Sequence, residues 1–207
     1  TYYRWLMMRK RNEGMIKSFQ NTVPNLPDKV KTKDFNLIEN FDIDKWSSSV
    51  SGSSFYFNDY AEEEEIHHLD GQTIEDAEHQ IATRLYQNNA RVHFNQHIEK
   101  SGRFGKRIIY GGYIISLARA ISCNGLANTF KLAAIHSGKH SAPTFAGDTI
   151  YAWSKILEKE IIHKNVGAMM IRTLASKNDS KMNFPDKKNL TDNIVLDLEY
   201  SVLIPIK

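Results

Sequence analysis

The sequence contains almost no cysteine and no long hydrophobic run. Cys123 is the single cysteine among 207 residues, which excludes an intrachain disulfide framework and a cysteine-based zinc site. No apolar segment approaches the roughly 18 residues that a membrane-spanning helix needs. No secretory signal pattern is visible either, so we expect the cytoplasm as the compartment.

The sequence also lacks a strong charge of either sign. The net charge is +3, from 27 Lys and Arg residues against 24 Asp and Glu residues. This is too small to indicate a nucleic-acid or membrane-surface partner. Hydrophobic residues make up 41% and charged residues 25% of the chain, as in an ordinary globular protein. Its length fits one domain with extensions, or one and a half small domains.

The most apolar part of the chain lies between residues 107 and 128. From Ile114 onward Arg119 is its only charged residue, which predicts a helix buried on most of its circumference, with Cys123 as a small core residue. Gly111 and Gly112 precede this helix. Glycines there let a ligand approach free backbone N–H groups, although the pair could equally make only a tight turn.

Strand-like segments surround this predicted helix. Ile66–Thr73 is predicted as a strand, and Thr73 as the cap of a helix over Ile74–Gln87 with Ala77, Ile81 and Leu85 at four-residue spacing. Four further strands rich in β-branched and aromatic residues follow, namely Phe130–His136, Ile150–Leu157, Val166–Ser176 and Val195–Ile204. The order predicts an α+β fold in which an antiparallel sheet wraps one long helix, with Ser137–Pro143 as a loop.

The chain before this sheet divides into two parts. Residues 1–11 have the aromatic and apolar pattern of a strand, and residues 12–58 are polar and predict a linker with short helical pieces near Phe35–Asn40. We expect four aromatic residues to hold the linker down by burial, namely Trp46, Phe55, Tyr56 and Phe57. The compact domain is predicted over residues 59–207.

Three local sequences carry a resemblance to a known family. They are the loop Asn88–His93, the segment from Phe104 to Gly112, and the turn Phe145–Thr149. The chain resembles the MaoC-like, (R)-specific enoyl-CoA hydratases, which have the hot-dog fold. Over Ala82–Leu157 it is similar in particular to the C-terminal half of the mesaconyl-CoA hydratases, also called β-methylmalyl-CoA dehydratases.

The resemblance implies reversible hydration of a short, branched enoyl-CoA, with mesaconyl-CoA as the best guess and no metal or redox cofactor beyond the coenzyme A thioester itself. The wider family's Asp, Asn and Pro are Asn88, Ala90 and Arg91 here, and only His93 keeps its identity. An asparagine cannot take up a proton at neutral pH, so the usual sharing of acid–base work is in doubt. A hot-dog thioesterase and a non-catalytic structural half are the alternatives.

The predicted site follows from this resemblance. His93 is the candidate base, Asn88 would hold the water or serve only a turn, and the Gly112 N–H beside Gly111 would bind the thioester oxygen. The cations predicted near the phosphates of coenzyme A are Arg103, Lys106 and Arg107. The neighbouring pair Glu78–His79 could replace the missing Asp, or simply face solvent.

The resemblance also implies a partner. Relatives of this group carry two hot-dog repeats in one chain, and residues 1–11 look like the last strand of the first repeat. A lone repeat leaves a sheet edge bare. We therefore expect a homo-oligomer or pairing with an upstream hot-dog repeat, and we expect Tyr2–Arg9 to be an extended strand.

Overall fold

The structure, a computed structural model, describes residues 27–36, 41–181, 184–185 and 190–207. The predicted strand Tyr2–Arg9 and most of the segment Phe35–Asn40 lie outside these residues. The division of the chain into residues 1–11, 12–58 and 59–207 stays a prediction.

Five antiparallel strands form one sheet in the spatial order β1-β3-β4-β5-β2. Their bounds are β1 Glu65–Thr73, β2 Lys131–His140, β3 Thr149–His163, β4 Val166–Lys177 and β5 Ile194–Pro205. The β-branched and aromatic residues that predicted the strands form the core, because alternate residues of β3, β4 and β5 point toward the helical layer. The predicted α+β hot-dog architecture is confirmed, with β1 and β2 as the two outer strands.

The described residues form four α-helices, of which two are longer than one turn. The helices are α1 Ser48–Ser51, α2 Asp76–Leu85, α3 Gln96–Glu99 and α4 Gly111–Leu126, and single 3-10 turns cover Thr32–Asp34, Ile43–Lys45, Phe57–Asp59 and Arg91–His93. Helix α4 packs on the sheet over β1 and β3. Its regular course ends at Asn124 and Gly125, which have non-helical backbone angles.

The sheet extends beyond the sequence-based bounds. Strand β2 continues to His140, so the prediction of a loop from Ser137 was wrong. The polar residues there are tolerated because β2 is an outer strand that pairs with β5 up to Leu196. Strand β3 likewise runs on to His163 as one arm of a long hairpin with β4.

Helix α2 buries a different face from the one predicted. Its buried residues are His79, Ala82 and Thr83, while Ile81 is 49% and Leu85 73% exposed. Thr73 does not cap the helix either, because it stays in β1 and its hydroxyl pairs with that of Thr149 at 2.8 Å. The three-residue spacing of His79 and Ala82, and not the predicted four-residue spacing, therefore marks the side of this short helix that packs against the rest of the domain.

Helix α4 is buried on one face rather than on most of its circumference. Its buried residues follow a helical stripe that faces the sheet, namely Ile114, Leu117, Ala118, Ser122 and Leu126. Ser116, Ala120 and Cys123 lie on the other side and are exposed. The prediction that Cys123 is a core residue was wrong, because the sheet covers only one side of the helix.

The described part of the linker is held by a buried amide. Asn128 accepts a hydrogen bond from the Trp46 indole at 3.0 Å and donates to the carbonyls of Ser53 and Phe55 at 3.1 and 2.6 Å. Of the four aromatic residues predicted to be buried, Tyr56 and Phe57 are buried and Trp46 is partly buried. Phe55 is 55% exposed, so its predicted burial was wrong.

Candidate functional site

His93 lies in the 3-10 turn ahead of α4 and has one ring nitrogen fixed. Its Nδ1 lies 3.0 Å from the carbonyl oxygen of Ile108, which can only accept, so Nδ1 carries the proton and Nε2 presents a lone pair. Burial lowers the pKa of His93, although the bond to Ile108 and the charge of Glu99 partly oppose this. The imidazole is therefore neutral at neutral pH and suited to accept a proton.

Tyr110 connects His93 to the start of α4. The rings of His93 and Tyr110 meet edge to face with centroids 5.6 Å apart. A Cβ added to Gly112 would lie 2.6 Å from a ring carbon of Tyr110, and one added to Gly111 would lie 2.6 Å from the His140 Nε2. Neither glycine has a positive φ. The pair is therefore required by close packing of two rings and not by a left-handed turn.

The first two residues of α4 have backbone N–H groups that lie outside its regular helical bonding. The carbonyl of Tyr110 accepts the N–H groups of Tyr113 and Ile114, at 2.9 and 3.3 Å. The N–H groups of Gly111 and Gly112 precede these bonds and belong to the donors that a helix cannot satisfy internally. The predicted donor Gly112 is thus two residues after Tyr110, whose ring contacts His93.

His79 supports this arrangement and was not predicted in that role. It is fully buried, and its Nε2 accepts the N–H of Tyr110 at 2.9 Å. Burial, with smaller contributions from His93 and Arg107, lowers the pKa of His79 to about 4, while Asp76 opposes the shift. The neutral ring therefore carries its proton on Nδ1, which is buried and has no hydrogen-bond partner among the described residues.

The interpretation of Glu78 and His79 as a solvent-facing pair was wrong for His79. Glu78 accepts a hydrogen bond at 3.1 Å from the hydroxyl of Tyr113, at an exposed position. His79 instead shares the buried face of α2 with Ala82 and Thr83. The spacing of these three residues was the only signal in the sequence that could have placed the histidine inward.

Asn88 uses its side chain to shape the loop. Its Oδ1 accepts the N–H of Ala90 at 2.8 Å, and its own N–H donates to the Thr83 carbonyl. This is the local turn that asparagine commonly makes, which leaves the amide Nδ2 as the group that could reach a water molecule. The catalytic assignment of Asn88 stays a prediction.

The three predicted phosphate-binding cations differ in whether their side chains pair with other groups of the protein. The Arg107 guanidinium is largely buried, pairs with Asp76 at 2.5 Å and also donates to Gln80. Arg103 and Lys106 are exposed and have no ion pair among the described residues. Arg107 therefore fixes the loop to α2, while Arg103 and Lys106 are the cations that face solvent.

An aromatic pair accompanies the two exposed cations. The rings of Phe104 and Phe145 meet edge to face at 5.5 Å. Arg103 lies 5.0 Å from the Phe104 ring, and Lys106 lies 4.2 Å from the Phe145 ring. Asp148 holds the turn that carries Phe145 by accepting its N–H at 2.9 Å. The surface beside the loop thus combines positive charge with flat apolar area.

Within the described ranges, no three side chains of the kinds that bind metals converge closely enough to hold an ion. The expectation that no metal or other cofactor takes part stays a prediction. In the same ranges each helix is too short or too polar to cross a membrane. A cytoplasmic location also stays a prediction.

The fold is an antiparallel sheet packed against one long helix, and the histidine turn of residues 91–93 precedes that helix in the chain, with the short α3 between them. The chain is similar to MaoC-like hot-dog proteins. No protein-family model matches the chain. The similarity is seen in individual relatives and in solved structures.

Two curated enzymes match the chain over nearly its whole length. A β-methylmalyl-CoA dehydratase of Chloroflexus aurantiacus is 49% identical over 209 residues, which cover 99% of this chain and 59% of that enzyme. A mesaconyl-CoA hydratase of Cereibacter sphaeroides is 41% identical, over 99% of this chain and 60% of that enzyme. The chain therefore spans about three-fifths of the length of the curated relatives it matches.

Solved structures agree with the fold. A MaoC domain protein dehydratase from Chloroflexus aurantiacus superimposes with a TM-score of 0.89 at 48% identity, over 96% of this chain and 58% of that one. A Mycobacterium tuberculosis protein described as a double hot-dog fold gives a TM-score of 0.56 at 23% identity, over 82% of this chain and 48% of that one. The predicted resemblance to this group is confirmed.

Proposed function

We propose that this protein catalyses the reversible hydration of a short, branched enoyl-CoA, with mesaconyl-CoA as the best single substrate. The observation that carries the proposal is the His93 imidazole, fixed by the Ile108 carbonyl so that Nε2 presents a lone pair beside Tyr110 and the start of α4. The names and identities of the two curated relatives support the choice of substrate.

In the proposed reaction, His93 accepts a proton from water as the water oxygen bonds to C3 of the enoyl group. The electrons of the carbon–carbon double bond move toward C2, and charge develops on the thioester oxygen. The Gly112 N–H at the positive end of α4 would stabilise that charge. C2 then takes the proton back from the imidazolium of His93, and water has been added with no net change in the enzyme.

His79 would act as a positioning residue in this mechanism. By accepting the Tyr110 N–H it fixes the backbone that leads into Gly111 and Gly112. Its pKa of about 4 keeps the ring neutral over the working range, so the acceptor is not lost to protonation. We propose that the acid–base work of the missing Asp falls on His93 alone, with Asn88 Nδ2 holding the water.

The coenzyme A moiety would bind outside the loop. Arg103 and Lys106 are exposed and lie over the rings of Phe104 and Phe145. Phosphate groups suit the two cations, and an adenine base suits the aromatic surface. Arg107 would contribute by holding the loop to α2 through Asp76.

Thioester hydrolysis remains the second hypothesis for an enzymatic activity. Hot-dog thioesterases usually place a carboxylate on the central helix, and residues Gly111–Leu126 contain none. Incubation with crotonyl-CoA and mesaconyl-CoA separates the possibilities. A hydratase lowers the absorbance of the conjugated thioester without releasing thiol, a thioesterase releases thiol, and a non-catalytic half does neither.

We further propose that the protein works paired with a second hot-dog unit, either another copy or an upstream repeat. Strand β2 is an outer strand of the sheet, and Leu132 and Ile135 on it are 39% and 50% exposed. Such an edge favours association. Sedimentation at low micromolar concentration tests this, and a stable monomer with full hydratase activity would refute it.

A further inference from the structure

Arg119 is the only charged residue of α4. Its guanidinium carbon lies 4.9 Å from the centre of the Tyr200 ring. Nη1 is buried and has no hydrogen-bond partner among the described residues, and no described carboxylate forms an ion pair with this side chain. The helix therefore carries a partly buried cation whose counter-charge the described protein does not supply.

A desolvated guanidinium is costly unless an anion and acceptors compensate it. The face of Tyr200 supplies part of the compensation. That ring is buried, and its hydroxyl lies 2.9 Å from the Thr173 Oγ1, which holds it in place beneath the cation. The guanidinium is thus supported on one side while a buried N–H donor remains to be satisfied on another.

The position of Arg119 along α4 relates it to the proposed site. Arg119 follows Gly112 by seven residues, close to two helical turns, so both lie on the same side of the helix at about 10 Å along its axis. Helical side chains lean toward the N-terminus. The guanidinium itself lies over the ring of Tyr200 on β5, beside the helix.

We propose that Arg119 binds the free carboxylate of a dicarboxylic acyl-CoA and so determines substrate selectivity; this deepens the proposed function and rests on it. With the thioester oxygen at the Gly112 N–H, a four-carbon diacid places its carboxylate three carbon–carbon bonds from the thioester carbon. Directed along α4, that carboxylate approaches Arg119. The planar guanidinium offers parallel N–H groups that match a carboxylate, and a monocarboxylic acyl chain has nothing to pair with them.

Binding of two saturated thioesters tests selectivity without catalysis. Succinyl-CoA and butyryl-CoA have four-carbon acyl chains, differ in the terminal carboxylate, and cannot be hydrated. By calorimetry we expect the protein to prefer succinyl-CoA and Arg119→Met to weaken succinyl-CoA binding by about 10- to 100-fold, the range for hydrogen bonds to charged groups. Butyryl-CoA binding should change less than threefold.

Two further variants serve as controls. Arg84→Met removes an exposed arginine of α2 and changes the net charge equally, so both affinities should stay as they were. Arg119→Lys keeps the positive charge but lacks the planar guanidinium, so it should retain part of the preference for succinyl-CoA. This variant also tests the inference if Arg119→Met does not fold. Equal weakening of both ligands, or no preference in the unmodified protein, would overturn the inference.

Turnover distinguishes this inference from the proposed function. Failure of the unmodified protein to hydrate either crotonyl-CoA or mesaconyl-CoA contradicts the function, whatever the binding preference. Normal hydration combined with an equal loss of kcat/KM for both substrates in Arg119→Met contradicts the role of Arg119 alone. If Arg119→Met instead changes only the sedimentation coefficient, its counter-charge comes from a second hot-dog unit, and the inference is wrong.

Discussion

His93 and His68 lie near opposite ends of α4. They differ in whether the ring nitrogen Nε2 has a hydrogen-bond partner. The Nδ1 of His93 donates to the Ile108 carbonyl at 3.0 Å, and the Nδ1 of His68 donates to the Asn124 carbonyl at 2.5 Å. Burial is the main cause that lowers the pKa of both rings. The Nε2 of His68, however, is bonded to the Ser154 hydroxyl at 2.8 Å, whereas that of His93 has no such bond within the described part of the chain.

The bond from His68 continues across the sheet. Because Nδ1 of His68 is the donor, Nε2 must accept from Ser154, which then accepts from Thr173 at 2.7 Å, and Thr173 accepts from Tyr200 at 2.9 Å. Burial raises the pKa of Tyr200, which keeps its hydroxyl proton in place. One histidine therefore completes a structural network, while the other keeps a lone pair for chemistry.

The largest effect is expected for His93→Ala. Loss of the proton acceptor should lower turnover of crotonyl-CoA by about 10²–10⁴-fold, the usual contribution of general acid–base catalysis. The melting temperature should fall modestly, because the bond to the Ile108 carbonyl and the ring contact with Tyr110 are lost. His97→Ala, at an exposed position on α3, is the control. Near-normal turnover in a folded His93→Ala protein would refute the assignment.

Gly112→Val tests the N-terminal end of α4. The new side chain would meet the Tyr110 ring, since a Cβ there lies 2.6 Å from a ring carbon. We expect turnover to fall by about 10²–10³-fold, because the valine side chain would keep the thioester oxygen away from the backbone N–H, with a modest change in melting temperature.

Gly125→Ala is the matched change at the other end of α4. Gly125 has a φ of 106°, and an added Cβ would lie 2.8 Å from the Cγ2 of Ile66. This variant should lose stability and keep its turnover per folded molecule. If Gly112→Val shows normal kinetics, the glycine serves packing alone.

His68→Ala should affect stability and not chemistry. The change leaves the Asn124 carbonyl and the Ser154 hydroxyl without a buried partner, which costs about 2–3 kcal/mol of unfolding free energy. Urea denaturation measures this, and specific activity of the folded fraction should stay unchanged. A stable variant with lost activity would assign chemistry to both histidines and remove the distinction between them.

His79 predicts a pH dependence of stability. Its pKa is about 4 in the folded protein and near 6.5 when unfolded, so between these values the unfolded chain binds the extra proton. The contribution of His79 to the free energy of unfolding is therefore fully present above pH 6.5 and is lost as the pH falls toward 4. Over this range the free energy of unfolding should fall by at most about 1.4 kcal/mol per pH unit. His79→Asn should show a shallower slope over this range. An unchanged slope would contradict the assigned pKa.

The smallest effect is expected for Asn88→Asp compared with Asn88→Ala. Aspartate keeps the oxygen that accepts the Ala90 N–H, so the turn survives, whereas alanine loses it at a cost of about 1 kcal/mol. If the amide holds the water, both variants should lower turnover by about tenfold. Turnover unchanged in Asn88→Asp would leave Asn88 with the turn alone.

The order of the elements was predictable because each strand and α4 carries a strong local signal. The runs Val166–Ser176 and Val195–Ile204 are apolar and β-branched, and they agree with β4 and β5 to within one residue at either end. The end of β2 was not predictable, because Ser137–His140 is polar and is held in the sheet by pairing with β5.

The site was predictable only where the resemblance named a residue. His93 was found from its loop. The carbonyl of Ile108, which fixes its tautomer, lies outside that loop and could not be inferred from it. His79 was missed in its positioning role because its burial depends on how α2 meets Tyr110, which is a tertiary contact. Cys123 was misplaced because apolar composition does not tell how many sides of a helix are covered.

The exposure of Cys123 makes residues 1–207 suitable for labelling with a spectroscopic probe. It is the only cysteine in the sequence and lies on the side of α4 away from the sheet. A nitroxide attached there requires no other residue to be replaced. The rotational freedom of that spin label would then report, through the width of its resonance lines, whether another molecule covers this side of the helix in solution.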